Sequence, residues 1–128
     1  MKLSSVLIAF STLITAIICG GFGFSCDLRE AQIDDTTYHL PCKKRDGSQR
    51  LTSVDLDDCF ANADGELVPR RDGSFGRSCK EHRLEWQSSS EFVTDCRRDD
   101  GKWNSNTFDL NTILTNINGH ISCDNNRP

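Results

Sequence analysis

Seven cysteines are the residues of this 128-residue chain best suited to chemistry, since they could pair as disulfides or hold a zinc ion. They form no C-x-x-C pair, and no closely spaced histidine pair accompanies them, so the spacing does not favour zinc. Cys19 lies at the end of an apolar N-terminal segment. The other six, an even number, are typical of three disulfides in an oxidising compartment: Cys26, Cys42, Cys59, Cys79, Cys96 and Cys123.

Groups suited to catalysis are poorly represented. A small nuclease would need a histidine beside a glutamate or a second histidine, and a glycan hydrolase would need two carboxylates at a fixed distance. His39, His82 and His120 fall at non-equivalent positions of the internal repeat described below, and most acidic residues occupy turn or cap contexts. The motifs H-E-x-x-H and G-x-S-x-G are absent from the sequence. We therefore expect no enzymatic activity, no metal and no cofactor.

The N-terminal 20 residues form a signal-peptide pattern. Lys2 supplies the positive charge, residues 6–18 are mostly apolar, and Gly20 or Gly21 is the expected cleavage point. A membrane anchor is the alternative, but the run is short for a spanning helix, which needs about 20 apolar residues. We therefore expect residues 1–20 to be a signal peptide, and the rest of the chain to be secreted and not inserted in a membrane.

The charge balance bears on the class of partner. The whole chain has a net charge of −4, and without Lys2 it has 14 basic against 19 acidic residues, a net charge of −5. A nucleic-acid binder normally has an excess of basic residues, so we expect no nucleic-acid partner. The basic runs at 43–45, 70–71 and 97–98 could form a polyanion patch, but solvated surfaces are the favoured interpretation.

The chain repeats itself at an offset of 53 to 54 residues. Cys26 aligns with Cys79, and residues 42–67 then align with residues 96–121 without a gap. The identical pairs in that stretch are Cys42/Cys96, Asp46/Asp100, Gly47/Gly101, Asp55/Asp109, Leu56/Leu110, Asn62/Asn116 and Gly65/Gly119. We place repeat one at residues 22–74 and repeat two at 75–123, within a single domain over 21–128.

Each repeat predicts short strands joined by tight turns, which makes the fold all-β. The hairpin turns that require positive φ are Asp46-Gly47, Asp64-Gly65, Asp100-Gly101 and Asn118-Gly119. Asp55 and Asp109 are predicted to cap short helical turns. In repeat two we expect the first strands around residues 84–87 and 91–96, and we expect Trp86 and Trp103 to pack in the core or in turns.

The repeat favours one disulfide pattern among the fifteen that six cysteines allow. Cys26–Cys42 and its equivalent Cys79–Cys96 would each tie a pair of strands together. Cys59 replaces Ile113 of the other repeat and should therefore face the core. Its pairing with Cys123, the remaining cysteine, would join the two repeats.

At these residues the sequence resembles the cyanovirin-N homology family. The shared pattern is F-x-x-S-C, then a strand pair ending in C-x-x-x-D-G, then D-L-x-x-x-x-x-N-x-[DN]-G-x-[LI], stated twice. The resemblance implies a pseudo-symmetric, disulfide-stapled β fold in which strands exchange between the repeats. It also implies a lectin that binds high-mannose glycans and glycoproteins, particularly terminal α1→2-linked mannose, without a metal. The expected molecule is a monomer, with a domain-swapped dimer as the alternative.

The resemblance further implies two sugar pockets, one at each end of the molecule. The residues carried over to the first pocket are Gly21, Phe24, Ser25, Lys43, Arg45, Asn116 and Asn118. Those carried over to the second are Asn62, Asp64, Ser74, Arg77, Ser78, Arg97 and Asp99. Asn62 and Asn116 also have a structural interpretation, because an asparagine before a turn can bind nearby backbone.

Four of these positions depart from the family's usual pockets. Phe24 stands where a polar side chain is common, Lys43 stands where an acid is typical, and Arg77 and Asp99 also differ. An alternative hypothesis follows from these departures: a secreted, disulfide-stable protein that uses the same fold to bind a protein partner and has lost sugar binding.

Overall fold

The computed structural model describes residues 21–86 and 89–124, so the predicted signal peptide lies outside the described residues. These residues form ten short strands and five 3₁₀ turns of three residues each. No helix among them is long and apolar enough to span a membrane. The strands are β1 (Gln32–Asp34), β2 (Thr37–Lys43), β3 (Gln49–Asp55), β4 (Phe60–Ala63), β5 (Glu66–Pro69), β6 (Cys79–Leu84), β7 (Glu91–Arg97), β8 (Trp103–Asp109), β9 (Leu114–Ile117) and β10 (His120–Cys123).

Each repeat folds into its own pair of antiparallel sheets, and the two pairs have the same arrangement. Repeat one forms the three-stranded sheet β1-β2-β3 and the hairpin β4-β5, and repeat two forms β6-β7-β8 and β9-β10. Each three-stranded sheet leads into its hairpin through one 3₁₀ turn, capped by the side chain of Asp55 or Asp109. The predicted all-β, two-repeat architecture and both predicted caps are confirmed.

Each hairpin packs on the three-stranded sheet of the other repeat. Strand β10 lies against β3, and β5 lies against β8. Equivalent side chains mark both junctions: the Ile121 N–H donates to Thr52 Oγ1 (3.2 Å), and the Leu67 N–H donates to Asn106 Oδ1 (3.0 Å). The strand exchange implied by the family resemblance is therefore present.

The core follows the same two-fold relation. Phe22 packs edge-on against Tyr38 with ring centres 5.9 Å apart, and Phe75 packs in the same way against Phe92 at 5.8 Å. These four side chains are fully buried. The Tyr38 hydroxyl donates to the carbonyl of Ser89 (3.2 Å), which adds a polar link between the repeats.

Three disulfides hold this core in the predicted pattern. Cys26–Cys42 and Cys79–Cys96 each join residues 16 or 17 positions apart, within one repeat. Cys59–Cys123 joins residues 64 positions apart and links the repeats. Cys59 is fully buried, as expected from its replacement of an isoleucine, and Cys123 is fully buried as well.

Repeat two differs from the prediction in its first strand. The strand runs over Cys79–Leu84, whereas the sequence predicted it over residues 84–87. Gln87, the last residue of the predicted strand, lies outside the described residues. It contains an irregularity between Lys80 and Arg83, where Glu81 takes a positive φ of 59°. This bulge breaks the alternation of side chains along the strand, so the sequence pattern does not reveal it.

The prediction that both tryptophans pack in the core or in turns is wrong. Trp86 is 59% exposed and Trp103 is 44% exposed. Trp103 lies on the solvent side of β8, where the Lys80 ammonium sits 4.1 Å from the centre of its ring. That cation–π contact and the edge of the sheet accommodate the indole without burying it.

Gly73 offers a test of the connection between the repeats. A Cβ at this position would lie 2.2 Å from the carbonyl oxygen of Phe60, so the backbones of the linker and β4 would have to separate. We expect Gly73→Ala to lower the free energy of unfolding by about 2 kcal/mol or more. Gly47→Ala is the matched control: it meets no atom within 4 Å, and its positive φ alone costs about 1 kcal/mol. Equal losses in urea unfolding would contradict the close packing at Gly73.

Candidate functional site

Two asparagines at equivalent positions each connect three segments of the chain. Asn116 Nδ2 donates to Ser25 Oγ and to the Lys43 carbonyl, both at 2.9 Å, and its Oδ1 accepts from the Gly119 N–H (2.8 Å). Both amide protons are therefore used inside the protein. The structural interpretation of Asn116 accounts for all of these contacts.

Asn62 makes the same set of bonds in the other half of the molecule. Its Nδ2 donates to Ser78 Oγ and to the Arg97 carbonyl, both at 2.9 Å, and its Oδ1 accepts from the Gly65 N–H (2.7 Å). Each asparagine thus joins its hairpin to two segments near a disulfide. One is the serine that precedes the first cysteine of that disulfide, and the other is the strand residue that follows the second cysteine. These ties create two equivalent surface recesses.

A second bond fixes the tip of each hairpin. The Arg45 N–H donates to Asn118 Oδ1 (2.9 Å), and the Asp99 N–H donates to Asp64 Oδ1 (2.7 Å). Asn118 and Asp64 take positive φ angles of 51° and 50°, as the predicted turns require. Their side chains therefore face the loop of the other repeat.

The first recess encloses about 360 Å³ between the hairpin β9-β10, the end of β2 and the serine before Cys26. The residues lining it are Ser25, Lys43, Lys44, Arg45, Asn116, Ile117 and Asn118. The second recess encloses about 330 Å³ at the equivalent place in the other half of the molecule. Its lining residues are Asn62, Asp64, Ser78, Arg97, Arg98 and Asp99.

Most of the predicted pocket residues are brought together in this way. In the second recess Ser74 and Arg77 are exceptions, because they lie on the 3₁₀ turn Phe75–Arg77 and its N-terminal cap and do not line the recess. Lys44, Ile117 and Arg98 line the recesses but were not among the predicted residues. Each of the three directly follows a predicted pocket residue in sequence, and this adjacency was the signal that could have identified it. Sugar contact by any of these residues stays a prediction.

Gly21 and Phe24 also lie outside the lining of the first recess. The Phe24 ring is 90% exposed and borders a smaller neighbouring hollow of about 230 Å³. Ser25 and Lys43 line both hollows, so the two are continuous. Phe24 therefore forms an apolar rim beside the first recess.

The two recesses differ in electrostatics. The first is lined by Lys43, Lys44 and Arg45, and it contains no carboxylate among the described residues. Asp46 is the acidic residue of the same loop, but it does not line the recess. Its carboxylate accepts hydrogen bonds from the Ser48 N–H and hydroxyl, and the hydroxyl bond lowers the pKa of the carboxyl. The second recess combines two arginines with two aspartates.

A larger hollow of about 550 Å³ lies between β1 and β6. Its histidine, His82, packs against the rings of Phe75 and Phe92, and its Nδ1 lies 2.8 Å from Thr94 Oγ1. Burial lowers the pKa of His82. The ring is thus a packed part of the structure, and among residues 21–86 and 89–124 no cluster of His, Cys, Asp and Glu is arranged to hold a metal.

Comparison with known proteins gives a consistent family match. The model of the CVNH domain matches residues 22–122 of the chain. No curated protein sequence matches it. Among solved structures, Microvirin in complex with mannobiose is 28% identical, with a TM-score of 0.66, and the match covers 81% of this chain and 98% of Microvirin.

Two further solved structures share the fold. The CVNH protein of Gibberella zeae is 20% identical, with a TM-score of 0.68 and coverage of 81% of this chain and 97% of that one. A MoCVNH3 variant in complex with (N-GlcNAc)4 is 16% identical, with a TM-score of 0.73 and coverage of 83% and 98%.

Asn116→Ala tests whether these asparagines build the recesses. The variant loses three hydrogen bonds in a half-buried place, so we expect the free energy of unfolding to fall by about 2 kcal/mol or more. Hydrogen exchange should speed up at the Gly119 amide and stay unchanged at the Gly65 amide, which Asn62 holds. Ile117→Ala, an exposed neighbour, is the control. Unchanged protection of Gly119 in the Asn116 variant would show that the amide does not hold the hairpin.

Proposed function

The chain belongs to the CVNH family, and on that premise we propose that it is a secreted, non-catalytic lectin that binds mannose-rich glycans without a metal. Two equivalent recesses carry this proposal, because each is built by segments of both repeats and exposes polar side chains from a rigid frame. The mannobiose complex of Microvirin and the (N-GlcNAc)4 complex of the MoCVNH3 variant support it, since both are carbohydrate complexes of similar proteins.

The second recess has the better chemistry for neutral sugars. Neighbouring sugar hydroxyls both donate and accept hydrogen bonds, so a matching surface needs acceptors beside donors. Asp64 keeps one carboxylate oxygen outside the bond to the Asp99 N–H, and Asp99 adds a second carboxylate. The Arg97 guanidinium lies in the same lining as a donor. We therefore assign the principal mannose site to this recess.

Secretion is part of the same proposal. The signal-peptide pattern of residues 1–20 supports it, and so do the three disulfides, which form and persist in oxidising compartments. We further propose that the protein acts as a monomer, because each recess is completed by the two repeats of one chain.

A protein-binding role is the second candidate function. Phe24 is 90% exposed, Leu51 is 70% exposed and Trp86 is 59% exposed. Each of these exposed apolar side chains offers surface that a protein partner could bury. Free mannobiose should displace a bound glycoprotein from a lectin, and it should not displace a partner that a protein-binding scaffold holds through protein contacts.

Titration with α1→2-linked mannobiose tests the lectin assignment. In the isotope-labelled protein we expect saturable amide shifts at Asp64, Arg97 and Asp99. Asp99→Ala should weaken this binding about tenfold, because a carboxylate hydrogen bond to the sugar is lost. Within the described residues the Asp99 side chain makes no hydrogen bond, so the fold should be unaffected.

Asp34→Ala serves as the control, because Asp34 is an exposed carboxylate on β1 outside both recesses. It should leave mannobiose binding unchanged. If no amide in either recess shifts at millimolar mannobiose, the proposed mannose recognition is wrong.

A further inference from the structure

The two recesses share a frame but differ at equivalent loop positions. Lys43 and Lys44 of the first correspond to Arg97 and Arg98 of the second, so these cations are common to both. Arg45, however, corresponds to Asp99. Asn118 likewise corresponds to Asp64. At these two positions the first recess therefore has a basic and a neutral side chain where the second recess has two acidic ones.

Hydrogen bonding sharpens this difference. Asn118 and Asp64 each use Oδ1 to accept the backbone N–H of the facing loop. Asn118 can therefore still donate to a ligand through Nδ2, whereas the second carboxylate oxygen of Asp64 can only accept. With Lys43 and Arg45, the side chains that the first recess offers at its loop face are donors.

The cations of the first recess also lack a close ion pair. Lys43, Lys44 and Arg45 form no ion pair within 4.0 Å among the described residues, which include every acidic residue of the chain. Asp46, the acid in the same loop, accepts hydrogen bonds from Ser48 and attracts the Lys44 ammonium without forming an ion pair within 4.0 Å. In the second recess, by contrast, Arg98 pairs with Asp100 at 2.7 Å.

Arg50 adds a further cation beside the first recess. A Cβ on Gly119 would lie 3.4 Å from Arg50 Cβ, so the stem of this arginine borders the hairpin that carries Asn118. The equivalent position beside Gly65 is Asn104, which is neutral. The positive charge around the first recess therefore comes from two strands and a loop.

We propose that the first recess binds a sugar that carries a compact anionic group (a phosphate, sulfate or carboxylate), while the second recess binds neutral sugar. This inference rests on the proposed lectin function and assigns the ligand class of one of its two sites. An anionic oxygen group accepts hydrogen bonds without donating, which matches a surface that offers donors and positive charge. The net charge of −5 outside the leader disfavours long polyanions, so a single substituent on a glycan is the better match.

Three probes separate the contribution of the sugar to binding from that of the anionic group: α1→2-linked mannobiose, the same disaccharide with a 6-phosphate on its terminal mannose, and inorganic phosphate. The protein is expressed from its full sequence, purified in the oxidised form and followed by amide shifts. At the first recess we expect the phosphorylated disaccharide to bind at least about tenfold more tightly than mannobiose, because several exposed charges contribute about two- to fivefold each. This preference should decline as salt increases, and binding of mannobiose at the second recess should not.

Reciprocal variants test the residues named. Arg45→Asp with Asn118→Asp copies the second recess at both positions and keeps the backbone bond, because a carboxylate Oδ1 accepts it equally well there. We expect this variant to lose the preference for phosphate at the first recess. Asp64→Asn with Asp99→Arg is the matched exchange and should create the preference at the second.

Several results would overturn the inference. Equal affinity of the first recess for both disaccharides would refute the anionic preference while leaving the lectin function intact. Inorganic phosphate binding as tightly as the phosphorylated disaccharide would show an anion site without sugar recognition. A preference that persists in the Arg45→Asp, Asn118→Asp variant would show that other groups cause it. If neither disaccharide shifts either recess, both the inference and the proposed function are wrong.

Discussion

The exchange of hairpins between the repeats is the constraint on which the rest of the structure depends. A hairpin of four-residue strands is not stable alone, so β4-β5 and β9-β10 must each find an apolar surface, and each finds it on the other repeat. The Asn116 amide fixes one such contact across 91 positions of sequence to Ser25 and across 73 to Lys43. Asn62 fixes the other, and Cys59–Cys123 covalently joins the exchanged parts. The recesses exist only where these segments meet.

This arrangement separates the residues that build a recess from the other side chains that line it. Asn62 and Asn116 have both amide protons engaged in the protein, so they hold the frame. The side chains at the hairpin tip and the facing loop are free to differ, because the bonds there use the backbone N–H of the loop and an Oδ1 that asparagine and aspartate share. One fold can therefore carry two recesses of different charge without loss of packing.

The sequence repeat was sufficient to predict the architecture, because its signals are local and occur twice. The aspartate caps, the turns of positive φ and the cysteine pairs each depend on residues a few positions apart. Three features depended on tertiary context and were missed. The bulge at Glu81 displaced the first strand of repeat two, the Lys80 contact left Trp103 on the surface, and the 3₁₀ turn placed Phe24 beside the first recess and not in it. Lys44 and Arg98 were missed because neighbours on a loop do not alternate between faces as they do on a strand.

A crystal structure of the protein with α1→2-linked mannobiose would show directly whether the paired recesses are sugar sites. We predict the disaccharide in the second recess, with Asp64, Arg97 and Asp99 in hydrogen-bond contact and Asn62 still bound to Ser78 and Arg97. A disaccharide bound instead in the hollow between β1 and β6, or against the exposed ring of Phe24 alone, would show that the recesses are not the sugar sites. Either result would show directly whether the frame built by the two asparagines serves to bind glycans.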